Sequence, residues 1–488
     1  MFFNDDYDSQ FEAQVVSIDD LVPTDHLVRK IARVIDFSFI NDQVRHLYSE
    51  DQGRPSIPPI VLFKMVFIQF IFGIRSMRKT VQEIQVNAAY RWFLGFGLMQ
   101  PVPHYSTFSK NYERRFKGSD IFETIFHRIL KQIVDRGLIN EEVLFVDSTH
   151  MKAYANKRKS RNEVVQEATN RYMKQLQIEL NELREEEGKK QIDFTTSKNI
   201  AVSPVDPDAG MFHKGEKEKQ FAYSVQTACD EHGWVIASEV HAANISDHNA
   251  GASFIEPLLE QHPDTTHVVM DAGYNNPLLL HEILLKGRKP VVPYMRPKGG
   301  SSDENFPKSR FDYDDYNDTY TCPAGKLLTY RGINSQGYRQ YQSNRKDCQH
   351  CPFKDRCTKT SSRIVLRHLL EYSKKIAREI RLSEEGRSLY AKRKMTIERV
   401  FADCKMNHVL GFTFHRGLKK NQHRIKLLFA MANLKKLAII EWDYISKSLE
   451  NSAIILQISL FLSKLRQVTK ETKKWLLNQF STTTLSTV

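Results

Sequence analysis

Three carboxylates, Asp147, Asp271 and Glu398, sit in contexts that suggest chemistry. Two of them follow the same local pattern. Val143-Leu144-Phe145-Val146 runs into Asp147-Ser148-Thr149, and His267-Val268-Val269-Met270 runs into Asp271-Ala272-Gly273. Short apolar runs rich in β-branched and aromatic residues predict buried strands. Each strand then delivers an aspartate at its C-terminal end, where open α/β sheets place their ligands. Glu398 lies in a segment expected to be helical. Tyr390, Lys394, Glu398, Phe401 and Lys405 are spaced by 4, 4, 3 and 4, which predicts one helical face with a carboxylate between two ammonium groups. Alone, that face is a solvated salt-bridge ladder. With two strand-end aspartates upstream, it is expected to complete a set of oxygen ligands of the kind that Mg²⁺ or Mn²⁺ takes.

The elements that position these acids form a mixed α/β pattern. After the Asp147 strand, residues 152–220 predict a polar helical insertion, with Met173, Leu176, Leu180 and Leu183 at amphipathic spacing. Asp206-Pro207-Asp208-Ala209-Gly210 predicts a turn, and its aspartates are rival metal ligands. Phe221–Ala228 and Trp234–Val240 flank Asp230-Glu231-His232-Gly233 as a hairpin. A helix from Ala250 to Gln261 then leads into the Asp271 strand, and Pro290-Val291-Val292-Pro293-Tyr294 predicts a further buried strand.

Residues 1–140 predict a helical domain. Ser56-Ile57-Pro58-Pro59 opens an apolar helix, with proline where the missing N–H costs little. In 103–116, Ser106 is the expected N-cap, and Phe108, Tyr112 and Phe116 form a buried stripe. Lys110, Arg114 and Arg115 are left outward, and Arg78 and Lys79 lie in an earlier basic helix. A short basic helix after a helix and a turn resembles a helix-turn-helix unit, the rival reading being a bundle with a solvated basic face.

Residues 295–360 break the pattern. Cys322, Cys348, Cys351 and Cys357 could bind one structural Zn²⁺, since C-x2-C is the pitch at which two thiolates reach a tetrahedral ion. The segment is expected to be too small to hold a core of its own. The rival reading is free thiols, and Cys229 and Cys404 are expected as ordinary buried cysteines.

Lys and Arg number 71 against 58 Asp and Glu, a net charge of +13, which suits a polyanionic partner. The acidic start Met1-Phe2-Phe3-Asn4-Asp5-Asp6 lacks the positive region of a signal peptide, and the clustered cysteines do not form a disulfide framework. A cytoplasmic protein is therefore expected.

The motifs Phe145-Val146-Asp147-Ser148-Thr149 and Val269-Met270-Asp271-Ala272-Gly273-Tyr274, with six residues between Glu398 and Lys405, resemble bacterial insertion-sequence transposases of the DDE class. That resemblance spans roughly residues 10 to 445. It implies an RNase H-like catalytic core over 141–294 and 361–448, with a helical DNA-binding domain over 1–140. The insertions would be 152–220 and 295–360, with a tail at 449–488. It also implies DNA cleavage at transposon ends and strand transfer into target DNA. Asp147 would bridge two Mg²⁺ or Mn²⁺ ions, with Asp271 and Glu398 on one each, and Lys394 and Lys405 would contact phosphate. The expected partner is double-stranded DNA, bound by a homodimer assembled on it, associated with the nucleoid and not with membrane. The family carries a Tyr-x2-Arg-x3-Glu-x6-Lys signature. Here Tyr390 and Arg393 fit each other, but four residues separate Arg393 from Glu398. The rival readings are a transposase-derived DNA-binding protein that has lost catalysis and a metal-dependent phosphohydrolase of small substrates.

Overall fold

A computed structural model of the chain describes residues 13–49, 56–166, 171–191, 197–214, 218–293, 306–334 and 338–448. The expected tail at 449–488 and residues 295–305 of the cysteine insertion lie outside them. The chain divides into two compact units. One takes the described residues up to Ile71, Arg75–Phe116 and those from Met431; the other takes Phe72–Ile74 and Lys117–Ala430.

The first unit is helical: α1 (Leu27–Val34), α2 (Phe39–Val44), α3 (Pro59–Ile71), α4 (Met77–Val86), α5 (Ala88–Leu94) and α6 (Ser106–Arg114), with residues 431–448 also helical. Helix α3 is the predicted apolar helix. Nine of its thirteen residues are buried, because it is apolar on every side and so must be surrounded. Its one cation, Lys64, donates to the Phe93 carbonyl at 2.9 Å, and burial lowers its pKa. The stripe on α6 packs against α3 through Phe63, whose ring lies 5.5 Å from Phe108 and 5.1 Å from Phe116. Ser106 is not the cap. The helix begins with Ser106 already inside it, and the Ser106 hydroxyl pairs with His104 Nδ1 at 2.8 Å.

The second unit opens with α7 (Ile121–Val134), which sequence reading assigned to the N-terminal domain. Its apolar face holds it here: Phe122 stacks on His423 at 4.2 Å, and Lys426 pairs with Glu123 at 2.9 Å. The boundary therefore falls after Phe116 and not at 140.

The main sheet contains β1 (Val143–Lys152), β5 (Glu218–Cys229), β6 (Val235–Ala242), β7 (His267–Met270) and β8 (Lys289–Val291). β6 and β5 are antiparallel, β5 and β1 are antiparallel, and β1, β7 and β8 run parallel, giving the order β6-β5-β1-β7-β8. This is the RNase H-like mixed sheet that was expected. Helices α9 (Asp247–Gln261) and α10 (Pro277–Leu285) supply the crossovers. Leu144, Val146, Val268 and Met270 are buried with Ile255, Leu258 and Leu280 from those helices. The stretch 152–220 departs from a helical insertion. It holds one helix, α8 (Arg171–Glu186), and three strands, β2 (Arg161–Gln166), β3 (Ser197–Val202) and β4 (Gly210–Lys214), which extend the sheet beyond β5. Its polar residues conceal the strands because an antiparallel extension can stay wet.

The cysteine insertion is also more than a stapled loop. Strands β9 (Asp312–Asp314), β10 (Thr319–Thr321), β11 (Leu327–Ile333), β12 (Tyr338–Ser343) and β13 (Ile364–His368) form an antiparallel sheet. It has its own core of Phe306, Phe311, Tyr320, Leu328, Tyr341, Cys357 and Val365. Tyrosines supply much of that core, Tyr313 and Tyr341 packing on Tyr320 at 4.8 and 5.1 Å. Between its strands lie α11 (Arg345–Gln349) and α12 (Lys354–Cys357). The chain returns to the main sheet through α13 (Glu371–Leu382), α14 (Glu384–Lys392) and α15 (Ile397–Asn407). Leu144 is fully buried beneath the site-bearing end of β1. Leu144→Ala should lower unfolding free energy by about 2–5 kcal/mol, as measured by urea denaturation.

Candidate active site

Parallel pairing sets Asp147 beside Asp271. The register matches Val143 to His267 and Val146 to Met270, so the next residue of each strand is an aspartate. The Asp271 carboxylate turns back to accept from Gly273 N–H at 2.8 Å, capping the short 3₁₀ turn Ala272–Tyr274. Gly273 has little room for a side chain: a Cβ there would meet Asp271 Oδ1 at 3.0 Å and Asp247 Oδ2 at 3.2 Å.

Glu398 reaches the same place by a different route from the one expected. The predicted continuous helix is broken. α14 ends at Lys392, Arg393–Met395 form a 3₁₀ turn, and Thr396 leaves helical geometry (φ −108°, ψ −100°) before α15 begins. The Thr396 hydroxyl donates to the Lys392 carbonyl at 2.9 Å, a local bond that competes with helix continuation. The face linking Tyr390 and Lys394 to Glu398 therefore does not exist. Instead Arg393 is buried, with Nη2 2.6 Å from Asp147 Oδ2 and Nη1 3.7 Å from Glu398 Oε1. One guanidinium spans both carboxylates. Tyr390 lies beside it, its ring centroid 5.6 Å from the Arg393 guanidinium and 4.2 Å from that of Arg381. Lys394 and Lys405 are exposed.

A fourth acid belongs to this cluster and was missed by sequence reading. Asp247, the first residue of α9, accepts from the Ser148 hydroxyl at 2.6 Å and from Gln226 Nε2 at 3.2 Å. Gln226 in turn accepts from the buried Tyr274 hydroxyl. Asp247 sits in Ile245-Ser246-Asp247-His248, which in sequence is indistinguishable from an ordinary acidic first turn of a helix. Only the fold brings it to β1.

Burial dominates the electrostatics. Asp147 is pushed up to about 7, first by desolvation, with Asp271 and Asp247 adding repulsion while Arg393 and the Ser148 N–H oppose. Asp271 is raised too, again mainly by burial, with Asp247 contributing. Among the described residues, no three His, Cys, Asp or Glu side chains are grouped as a metal ion would require. In the structure as it stands, Arg393 is the cation that Asp147 and Glu398 share.

The rival aspartates at 206 and 208 serve the fold. Asp206 is buried and accepts from the Tyr223 hydroxyl at 2.7 Å and from Gly417 N–H at 3.0 Å, while Asp208 accepts from Leu418 N–H at 2.8 Å.

The four cysteines of the insertion are close enough that Cys322, Cys348 and Cys351 each add to the raised pKa of Cys357, whose main cause is burial. Lys326 N–H points at Cys322 Sγ at 3.4 Å across the turn ending at Gly325, and the Ser343 hydroxyl lies 3.0 Å from Cys348 Sγ. Cys229 and Cys404 are buried elsewhere.

In the helical unit, Lys110 and Arg114 lie exposed on α6. The Arg78 guanidinium stacks on Tyr105 at 4.6 Å, and Lys79 pairs with Glu83 at 2.8 Å. Arg115 is not outward. It is half-buried over Tyr48, donating to the Leu47 carbonyl and to Asn111 Oδ1, which makes it part of the packing.

Residues 16–114 match a family model described as Transposase domain (DUF772), and residues 321–438 match one described as Transposase DDE domain. The second segment contains Arg393, Glu398 and the four clustered cysteines; Asp147 and Asp271 lie between the two segments. No curated protein sequence matches the chain. Two solved structures show a distant likeness, each at 10% identity and a TM-score of 0.16. One is the Mos1 transposase paired-end complex with left transposon end, aligned over 50% of this chain and 61% of its own. The other is the Mos1 mariner paired-end complex with Mn, over 59% and 70%. At that TM-score the fold rests on the strand order above and not on superposition.

The raised Asp147 pKa has a consequence for stability. A carboxyl whose folded pKa exceeds its unfolded value adds stability that is complete below the unfolded pKa and is lost as pH rises through the folded one, here about 7. In chelator, the melting temperature of the wild type should therefore fall more steeply with rising pH between about pH 4 and 7 than that of Asp147→Asn. Parallel slopes would show that the carboxyl is not held in the buried position described.

Proposed function

We propose that this chain, a DDE transposase by the transposase and DDE domains it carries, cuts DNA at transposon ends and transfers the freed 3′-hydroxyl into target DNA with divalent-metal help. The observation that supports the reading most is that Arg393 spans Asp147 and Glu398, with Asp271 at the end of the parallel strand beside Asp147. The three acids offer oxygen donors only, and burial and mutual repulsion disfavour the charge of Asp147 and Asp271, which suits a hard cation. When bound, a pair of Mg²⁺ or Mn²⁺ ions would supply Lewis-acid stabilisation of the attacking and leaving oxygens.

The chain's own residues do the remaining work. Asp147 is the most enclosed of the three acids and the one that both neighbouring acids crowd, so it is the natural shared ligand. Glu398, half-exposed in the first turn of α15, is open to a substrate approaching from solvent. Arg393 neutralises Asp147 and Glu398 until substrate and cation arrive, and its Nε has no partner of its own. Asp247 acts as a positioning residue: through Ser148 and Gln226 it fixes the end of β1 next to Asp147. Lys394 and Lys405 are proposed to contact phosphates near this site. Arg78, Lys79, Lys110 and Arg114 are proposed to bind duplex DNA in the helical unit, without Arg115. Assembly as a homodimer on paired DNA ends belongs to the same reading.

In the cysteine insertion, Cys322, Cys348, Cys351 and Cys357 are proposed to hold one structural Zn²⁺. Cys322, Cys348 and Cys351 lie near enough to Cys357 to influence its thiol, and backbone and hydroxyl groups at Cys322 and Cys348 are placed to support thiolates, although the four sulfurs do not stand in ligand geometry here. Because the insertion has its own core, zinc would reinforce that fold more than create it.

Two experiments test these readings. In the first, Asp147→Asn, Asp271→Asn and Glu398→Gln should each reduce end cleavage by about three orders of magnitude or more, with duplex affinity in chelator unchanged. Asp247→Asn should fall between these and the wild type, about 10–100-fold down. Full cleavage by any of the three acid variants would overturn the catalytic assignment. In the second, elemental analysis of chelator-free protein should find one zinc per chain, lost when Cys348 and Cys351 are both replaced by Ser. A metal-free, cooperatively folded wild type would remove zinc from the argument.

A further inference from the structure

Past Asp147, β1 continues to Lys152 and presents Tyr154 two residues later. There it meets the segment following α15. Lys152 N–H donates to the Gly411 carbonyl at 3.1 Å, and Thr413 N–H donates to the Lys152 carbonyl at 2.9 Å. The other end of this segment is fixed by Asp206 and Asp208, which accept from Gly417 and Leu418 N–H. Between these anchors, Phe412 and Phe414 pack edge to face at 4.7 Å, and the Tyr154 ring lies 5.6 Å from Phe414. Tyr154 and Phe414 remain 51% and 52% exposed. Backbone bonds thus hold two neighbouring large rings at the surface, each half in water.

The surroundings indicate what the rings would bind. Arg416 lies 5.6 Å from the centre of the Tyr154 ring, Lys157, Arg158 and Lys159 follow Tyr154 on the exposed surface, and Lys419 is exposed just beyond. The nearby carboxylates of Asp206 and Asp208 are engaged by the backbone. Exposed rings bordered by cations are the combination that holds single-stranded nucleic acid, with rings taking base faces and cations taking phosphates. We infer that Tyr154 and Phe414 form a stacking platform for an unpaired DNA base, with Arg416 and the 157–159 cations holding its backbone. Five residues of β1 separate Lys152 from Asp147, about 17 Å of extended strand, so the platform would take a base a few nucleotides from the reacting one. This inference rests on the transposase reading, since a cut end is what supplies unpaired bases.

The test uses the full-length chain in chelator with a DNA duplex carrying a single-stranded tail, and 2-aminopurine placed at successive tail positions. Wild-type protein should quench the fluorophore at one or two positions. Tyr154→Ala combined with Phe414→Ala should reduce that quenching by roughly threefold or more, the rings supplying most of the stacking, while affinity for blunt duplex stays as in the wild type. Tyr154→Leu with Phe414→Leu keeps the apolar bulk and should show the same loss, which guards against a folding defect in the alanine pair. Quenching at no position while the DNA is bound, or undiminished quenching in both variants, overturns the platform. Failure of the wild type to bind duplex at all would overturn the transposase reading instead, and the platform with it.

Discussion

The structure of the site depends on keeping one carboxylate at the end of a hydrophobic strand. Asp147 follows four buried residues and is itself largely enclosed, so ionising it works against desolvation as well as against Asp271 and Asp247. Arg393 is the principal compensation, 2.6 Å away and only 7% exposed. Removing Arg393 would leave Asp147 and Glu398 without the cation they share and push the buried Asp147 carboxyl further toward its neutral form. The pair therefore ties the end of β1 to the α14–α15 junction, and with it the place where Glu398 enters. A site built in this way is held by charge balance as much as by packing.

What could be read in advance followed the physics of each element. The two strand-end aspartates were legible because apolar β-branched runs specify buried strands, and parallel pairing in register then brings the next residues together. The hairpin of β5 and β6, α9 and the fully apolar α3 were legible for the same reason. Strands β2, β3 and β4 were not, since an edge extension of a sheet can be polar and lacks the alternation that marks a half-buried strand. The sheet within the cysteine insertion was hidden by short strands whose core is tyrosine, a residue that sequence patterns do not assign firmly to the interior.

Within the site the division is sharper. Asp147 and Asp271 could be selected by local pattern, and Glu398 only in their company, since the helical face read for it is broken, whereas Asp247 could not be selected at all. Nothing near it distinguishes it from any acidic residue in a first helical turn. Its role comes from the crossover that places the start of α9 over β1 and β5, where Ser148 and Gln226 donate to it. Arg115 shows the converse: its spacing put it outside an apolar stripe, yet it donates to a carbonyl and lies over Tyr48. A cation off the stripe is not thereby solvated, because the aliphatic stem of arginine packs as readily as its head group bonds.

The spacing between Arg393 and Glu398 shows how a fold absorbs a departure from the signature of the family that the sequence resembles. In a continuous α-helix each residue advances about 100°. An arginine with three residues before the glutamate would lie about 40° from it around the axis, on the same face. With four residues between them the separation becomes about 140°, and the two side chains could not both reach Asp147. The chain does not keep one helix through this stretch. Arg393–Met395 wind as a 3₁₀ turn, Thr396 leaves helical geometry, and α15 restarts one residue before Glu398. The Thr396 hydroxyl on the Lys392 carbonyl holds the break in place. The extra residue is thus taken up in the backbone, and Arg393 and Glu398 still meet, 3.7 Å apart. Lys394, which has the correct spacing on an ideal helix, is left exposed, so here the residue type prevails over the count. Only a guanidinium offers two donor groups far enough apart to serve two carboxylates at once.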